Sequence, residues 1–236
     1  MNESTAMFRN YREAYFSERK FDSDKWEHYF DIYDHLLANL YGKDISFLEI
    51  GVQNGGSLEV ARKLFGPKSK IMGIDIDPKC KRMEVAGVAD RIVIGSQVDE
   101  RCVDEALQFM PSIDVLIDDG SHVQAHMIMS FINFFPSLAE NGVYIIEDTH
   151  TNYSPEHQES FLGIGLYDYF KGLSERLNID FIDADLRKTR YKVPREQRPP
   201  RNVPPDVCRD IFSIEFFDSV IAVRKRRKLE PLRIRK

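Results

Sequence analysis

Two short stretches carry most of the side chains able to do chemistry: Asp118-Asp119-Gly120-Ser121-His122 and Glu147-Asp148. Each closes an apolar run, Ile113–Asp118 or Gly142–Glu147, that reads as a strand. Four carboxylates crowded together without compensation repel strongly. A divalent cation resolves that conflict, and an oxygen-dominated ligand set favours Mg²⁺, Mn²⁺ or Ca²⁺ over zinc. Helix capping is the competing explanation, with Asp119 or Ser121 starting the helix that follows and Asp148 capping a turn. One such pair would read as capping. Two pairs at neighbouring strand ends point to a metal.

His122 follows Asp119 by three residues, and the pattern puts it at the start of a helix over about His122–Leu138. A helix N-terminus and an adjacent cation both favour the neutral imidazole, the form a general base requires. His126 lies one turn on and is a second candidate. His150, just past the second strand end, is a third; with Tyr153 it is placed on the substrate side.

A different chemistry is written in Phe47-Leu-Glu-Ile-Gly-Val-Gln-Asn-Gly-Gly56. An apolar strand runs into Gly51, Gly55 and Gly56, and the helical spacing of Ser57–Phe65 follows. Strand, glycine turn and helix together bring a backbone close to a nucleotide-like ligand. The spacing is not the G-x-G-x-x-G of a nicotinamide-binding turn. Glu49 stands two residues before Gly51, at the carboxyl end of the strand. Asp75 ends the next strand, Lys70–Asp75, where a carboxylate can accept hydrogen bonds from both ribose hydroxyls. Asp77 is the alternative acid, better placed to cap the helix opening at Pro78. Ser96 and Gln97 follow a third strand, Arg91–Gly95, and are expected near the base, with Asp118 also on the cofactor side.

All these positions are strand ends in an alternating pattern. Helices are expected over Ser57–Phe65, Pro78–Val85, Asp99–Met110 and about His122–Leu138, between strands that begin at Ile45–Ile50. The pattern predicts an α/β fold, a doubly wound, mostly parallel Rossmann-like sheet. Ligands then bind beyond the carboxyl ends of the strands, which predicts one site. Ile211–Phe217 and Val220–Arg224, joined by Asp218-Ser219, read as a closing β-hairpin.

Ahead of the sheet, residues 1–44 read as a helical arm. Ser23 is the expected N-cap of an amphipathic helix bearing Tyr29, Ile32, Tyr33, Leu36, Leu37 and Leu40. That helix either packs on the sheet edge or another subunit, or closes as a lid over the cofactor through Lys25 and Tyr29. The main domain is expected over 45–225, with a further helix over Phe161–Leu177 and a Pro-rich excursion at about 187–206. Five of the eleven prolines fall in Lys192–Pro205, which excludes a regular element there.

The 236 residues suit one α/β domain with appendages. No apolar run approaches the roughly 20 residues of a membrane span, and Cys80, Cys102 and Cys208 form neither a disulfide framework nor a metal motif. A cytoplasmic location is expected. Met1 to Asp180 holds 17 basic against 30 acidic side chains, whereas Phe181 to Lys236 holds 16 against 8. The basic end, 226–236, reads as a solvated tail.

Leu48-Glu-Ile-Gly51 with Gly55-Gly56, Gly73-Ile-Asp-Ile76, Ile117-Asp-Asp-Gly-Ser-His122 and Ile146-Glu-Asp-Thr-His-Thr-Asn-Tyr153 together resemble a known family. They are similar to the class I S-adenosylmethionine (SAM) methyltransferases, and more closely to the metal-dependent sugar O-methyltransferases of the mycinamicin and macrocin type. Gln53 stands where motif I usually has its middle glycine. The resemblance implies SAM and Mg²⁺ (or Mn²⁺) as cofactors. Asp119, Glu147 and Asp148 would hold the metal, with His122 as base and a small-molecule or glycan acceptor. A homo-oligomer is expected and nucleic acid is not. Three alternatives remain: a methyltransferase of catechols, whose group typically has Asp-Asn where this chain has Glu147-Asp148; a cephalosporin hydroxylase-like relative; and a non-catalytic binding module, disfavoured because the site acids are all present.

Overall fold

The computed structural model describes residues 8–182, 193, 194, 197 and 207–229. The expected Pro-rich excursion and most of the basic tail lie outside the described residues, apart from those three isolated positions and residues 226–229.

Strands β1 (Ser46–Ile50), β2 (Lys70–Asp75), β3 (Arg91–Ile94), β4 (Ile113–Asp118) and β5 (Leu138–Ile146) run parallel. Strands β6 (Ile211–Phe217) and β7 (Val220–Lys225) form the hairpin, and β7 joins β5 antiparallel. The sheet order is β3-β2-β1-β4-β5-β7-β6. The order reverses beside β1, so the carboxyl ends of β1 and β4 flank the crevice where such sheets take ligands. The fold class is the one expected from the alternation of elements.

Parallel strands covered on both faces need apolar side chains on both. One face packs against α1 (Tyr11–Phe16), α2 (Tyr29–Leu37) and α3 (Gly56–Leu64), with Tyr33, Leu36, Leu58 and Val115 at its centre. The other packs against α5 (Glu100–Phe109), α6 (Gln124–Phe134) and α7 (Leu166–Arg176), centred on Leu116, Phe131, Tyr144 and Phe170. A short α4 (Arg82–Val85) follows a 3₁₀ turn over Pro78–Lys81, and α8 spans Ile179–Ile182. Burying side chains of this size contributes about 1.5–3 kcal/mol each, which is why α2 belongs to the sheet's core.

Several boundaries differ from expectation. Helix α2 starts at Tyr29 with His28 before it, and Ser23 is not its cap. The stretch before it lies outside any helix or strand, held where the Asp22 carbonyl accepts from the Gly56 amide (3.1 Å) and the Ser23 carbonyl from Tyr15 Oη (2.6 Å). Strand β5 begins at Leu138, four residues early, after a register irregularity between Ile113 and Val115. Helix α6 starts at Gln124, so His122 precedes it with a left-handed φ of 57°. Asp77 and Asp99 do cap their helices, accepting from Lys79 N and Arg101 N at 2.9 Å each.

Candidate functional site

A cleft of about 850 Å³ opens across the strand ends, lined by Lys25, Gly51, Asp75, Asp119, His122 and Asp148 among others. At one end the backbone dominates. Asp75 Oδ2 accepts from the amides of Val52 (2.8 Å) and Gln53 (2.9 Å), and its Oδ1 from Asp77 N (2.8 Å), tying the glycine turn to β2. Gly51 has φ +88°, and a Cβ there would lie 2.0 Å from the Asp119 carbonyl oxygen. Only glycine lets the turn after β1 pass under the loop after β4. Gly55 adopts φ +86° against Met83, and Gly56 abuts the Asp22 carbonyl. Glu49 is fully buried; Ser57 Oγ donates to its Oε2 in a short contact, while its Oε1 has no hydrogen-bond partner.

The other end is built from side chains. Strands β4 and β5 pair in register with Asp118 opposite Ile146, which sets Asp119 beside Glu147 and Asp148. Asp119 Oδ1 and Asp148 Oδ2 lie 4.0 and 3.9 Å from His122 Nε2. One donor atom from each of these three residues fits within a sphere where all lie within 4.8 Å of one another. The two carboxylates supply oxygen ligands of the kind a hard divalent cation takes, with the imidazole beside them.

The opposite oxygens of these acids face the N-terminal segment. Lys25 Nζ donates to Asp119 Oδ2 (2.5 Å) and Glu147 Oε2 (2.7 Å), and lies 4.0 Å from Glu49 Oε1. Tyr29 Oη donates to Asp148 Oδ1 at 2.7 Å, and Tyr33 Oη donates to Glu147 Oε1 in a short contact. Tyr29 therefore grounds one oxygen of Asp148 and Lys25 one of Asp119, leaving the other of each toward His122.

Burial governs the charges. It pushes Glu49 up to about 7 against the opposing pull of Lys25 and Ser57. It pushes Asp118 up to about 7 despite hydrogen bonds from Tyr144 and Gln97. Glu147 is raised by burial too, with Lys25 opposing. For Lys25, burial acts downward, but Asp119 and Glu147 outweigh it and hold the ammonium well above the usual lysine range. The ion pair is thus the charged state of Lys25.

Other expected residues lie elsewhere. Gln97 and Asp118 are buried beneath the cleft: Gln97 Nε2 donates to Asp118 (3.0 and 3.2 Å) and Ser130 Oγ (2.8 Å), and Gln97 Oε1 accepts from Ser121 N (2.9 Å). They brace the loop that carries Asp119 to His122. Ser96 Oγ faces the amide of Val98 (3.5 Å) and is not among the residues lining the cleft. His126 Nδ1 pairs with Ser121 Oγ (2.9 Å), while His150 lines the cleft with its Nδ1 in short contact with Ser219 Oγ. Tyr153 is 78% exposed and stacks on Tyr167, away from the cleft lining.

Lys25 and Tyr29 were legible as residues facing the site, but their bonds to the acids, Trp26 in the cleft wall, Tyr33 on Glu147 and Ser219 on His150 were not. Tyr29 and Tyr33 look like ordinary core residues in a helical stripe; only their hydroxyls, one turn apart and just after a lysine, give a signal.

No protein-family model matches the chain. The 8-demethyl-8-(2-methoxy-alpha-L-rhamnosyl)-tetracenomycin-C 3'-O-methyltransferase of Streptomyces olivaceus is 37% identical over 145 residues, 56% of this chain and 36% of that protein. The mycinamicin VI 2''-O-methyltransferase of Micromonospora griseorubida is 31% identical over 205 residues, 84% of this chain and 48% of that protein. The MycE methyltransferase of the mycinamycin biosynthetic pathway, solved with Mg, SAH and mycinamycin VI, superposes with a TM-score of 0.69 at 28% identity. That match covers 92% of this chain and 53% of the solved one. The chain spans about half the length, or less, of these relatives. No helix among the described residues is long and apolar enough to cross a membrane. In sequence and fold, the chain is similar to the SAM-dependent sugar O-methyltransferases of the mycinamicin and macrocin type.

Proposed function

We propose that this chain transfers the methyl group of SAM to a hydroxyl of a sugar on a glycosylated small molecule, in a divalent-metal-dependent reaction with His122 as general base. The observation that carries the reading is the meeting of two half-sites in one cleft: the Gly51–Asp75 turn at one end, and Asp119, His122 and Asp148 at the other. The named relatives act on such acceptors, and the MycE structure holds SAH and Mg.

In this reading Asp75 holds the ribose and the Gly51 turn lets the cofactor lie against the backbone. Asp119 and Asp148, with Glu147, would hold the cation, which when bound would supply charge stabilisation to the reacting oxygen and fix the acceptor. The acceptor O–H is weakly nucleophilic at neutral pH. His122 Nε2, 3.9–4.0 Å from the two acids, accepts its proton as the oxygen attacks the methyl carbon in line. The C–O bond forms as the C–S bond breaks, and S-adenosylhomocysteine leaves with the sulfur electron pair. A placed base contributes about 10²- to 10⁴-fold, and alignment of the two reactants most of the remainder. Trp26 and His150, at the cleft wall, are the side chains offered to the acceptor.

Calorimetric titration with S-adenosylhomocysteine, with Mg²⁺ and with chelator, tests the reading, with NAD as control. Micromolar binding that survives chelation, with none of NAD, is expected. No binding under either condition would remove the cofactor assignment and leave a binding module.

A further inference from the structure

The methyl-transfer reading leaves Lys25 unused, although its ammonium ion-pairs with two of the site acids. Its side chain is 4% exposed and its ammonium stands between Asp119 Oδ2 and Glu147 Oε2, with Glu49 4.0 Å away. No other lysine or arginine among the described residues pairs with these acids. Two of the acids proposed for the metal therefore already face a cation. A divalent ion bound by Asp119 lies within a few ångströms of that ammonium, and like charges so close in a shielded pocket repel strongly.

The chain carrying Lys25 is built to let it go. Upstream, the amides of Lys20 and Phe21 donate to Glu59 and Asp22 accepts from Gly56 N. Downstream, α2 is locked into the core by Tyr29 and Tyr33. Between these anchors, Ser23–Trp26 lies outside any helix or strand, and Trp26 is 55% exposed in the cleft wall. The segment's own backbone ties are few: the Ser23 carbonyl accepts from Tyr15 Oη (2.6 Å) and the Trp26 carbonyl from Tyr29 N (3.0 Å).

We propose that Lys25 is an exchangeable internal cation. It neutralises Asp119 and Glu147 in the metal-free protein and yields them when a divalent ion binds, so metal occupancy is coupled to the position of Ser23–Trp26. The inference rests on the metal reading of the site and adds a residue that sets its affinity for metal. A lysine that merely oriented Asp119 would have the opposite effect on removal: metal would bind more weakly.

The test is Mn²⁺ titration calorimetry on the wild-type chain, Lys25→Met and Lys25→Arg, with S-adenosylhomocysteine titrated in parallel. Lys25→Met should bind Mn²⁺ about tenfold more tightly or better, and Lys25→Arg, which keeps the charge, within about threefold of wild type. Mn²⁺ binding by Lys25→Met alone would support exchange most strongly. Equal or weaker binding by that variant overturns it. Failure of the metal reading looks different: neither protein takes up Mn²⁺ while both bind S-adenosylhomocysteine, and both inferences fall together. Lys25→Met leaves buried acids short of a partner, so a folding defect is answered in the wild type. Trp26 is the single tryptophan, and saturating Mg²⁺ should change its quenching by acrylamide; unchanged quenching at saturation overturns the exchange.

Discussion

The two ends of the cleft are built by different means. At the cofactor end, Asp75 holds amides of a turn 22 and 23 residues earlier in the chain, and β1, α3 and β2 assemble it locally. At the acid end, the partners of Asp119, Glu147 and Asp148 are Lys25, Tyr33 and Tyr29, separated from them by 94 to 122 residues. Backbone geometry fixes the first end; charge and distant side chains fix the second. The cofactor end should therefore tolerate insults to the acid end, and the acid end should respond to changes in the N-terminal segment that the cofactor never feels.

The largest expected separation comes from His122→Ala. Turnover should fall about 10²- to 10⁴-fold while S-adenosylhomocysteine affinity, measured by calorimetry, stays within about twofold. Parallel loss of both would mean that His122 shapes the whole cleft, and the division into two ends would break.

Next in size is a pH effect from Asp118, the buried brace under the acid loop. Burial lifts its folded value from 3.8 to about 7, so the folded chain binds this proton more readily than the unfolded chain. The sign follows: its stabilising contribution is full below about pH 4 and drains away as pH rises to about 7, by roughly 4 kcal/mol in all. Glu49 shares the sign, lifted by burial from 4.5 to about 7. Asp118→Asn keeps partners for Gln97 and Tyr144 but cannot ionise. Its melting temperature should gain on wild type between pH 4 and pH 8, and parallel curves would show that Asp118 does not titrate in that window.

Asp75→Ala acts on the opposite end. On the proposed ribose role, losing its charged hydrogen bonds costs about 1.5–3 kcal/mol, a drop of about tenfold to a hundredfold in S-adenosylhomocysteine affinity. Mn²⁺ affinity should hold within about twofold. A matching loss of metal would show that the glycine turn, through Gly51 and the Asp119 carbonyl, transmits more than a close approach.

The same contrast decides what the sequence disclosed. The cofactor end was legible because its parts are local: apolar strands, glycines where φ is positive, and an acid closing each of the first two strands. The mostly parallel sheet and its closing hairpin followed from alternation and from Asp218-Ser219. At the acid end the strand-end carboxylates were legible, but their partners were not. Nothing local tells Tyr33 in an apolar stripe to reach Glu147. The reading of Gln97 as a cofactor contact missed that a buried Asp118 needs donors, and Gln97 with Tyr144 supplies them. His122 was placed at the start of a helix because polarity alone does not reveal a left-handed residue; α6 begins only after it.

Tyr29→Phe gives the smallest effect and the sharpest test of how the acid end is held. The hydroxyl donates to Asp148 Oδ1 at 2.7 Å and accepts from Asp148 N at 3.2 Å, turning Oδ2 toward His122. Its removal costs about 0.5–1.5 kcal/mol, so Mn²⁺ affinity should weaken by about twofold to tenfold with cofactor affinity unchanged. Tyr29 is neutral, and its loss removes orientation without removing a competing charge. Lys25 touches the neighbouring acid with a full positive charge, and its loss should move metal affinity the other way. Opposite signs from two residues four apart on one segment would separate orientation from charge competition; a shared sign would mean that the N-terminal segment acts on the acids by geometry alone.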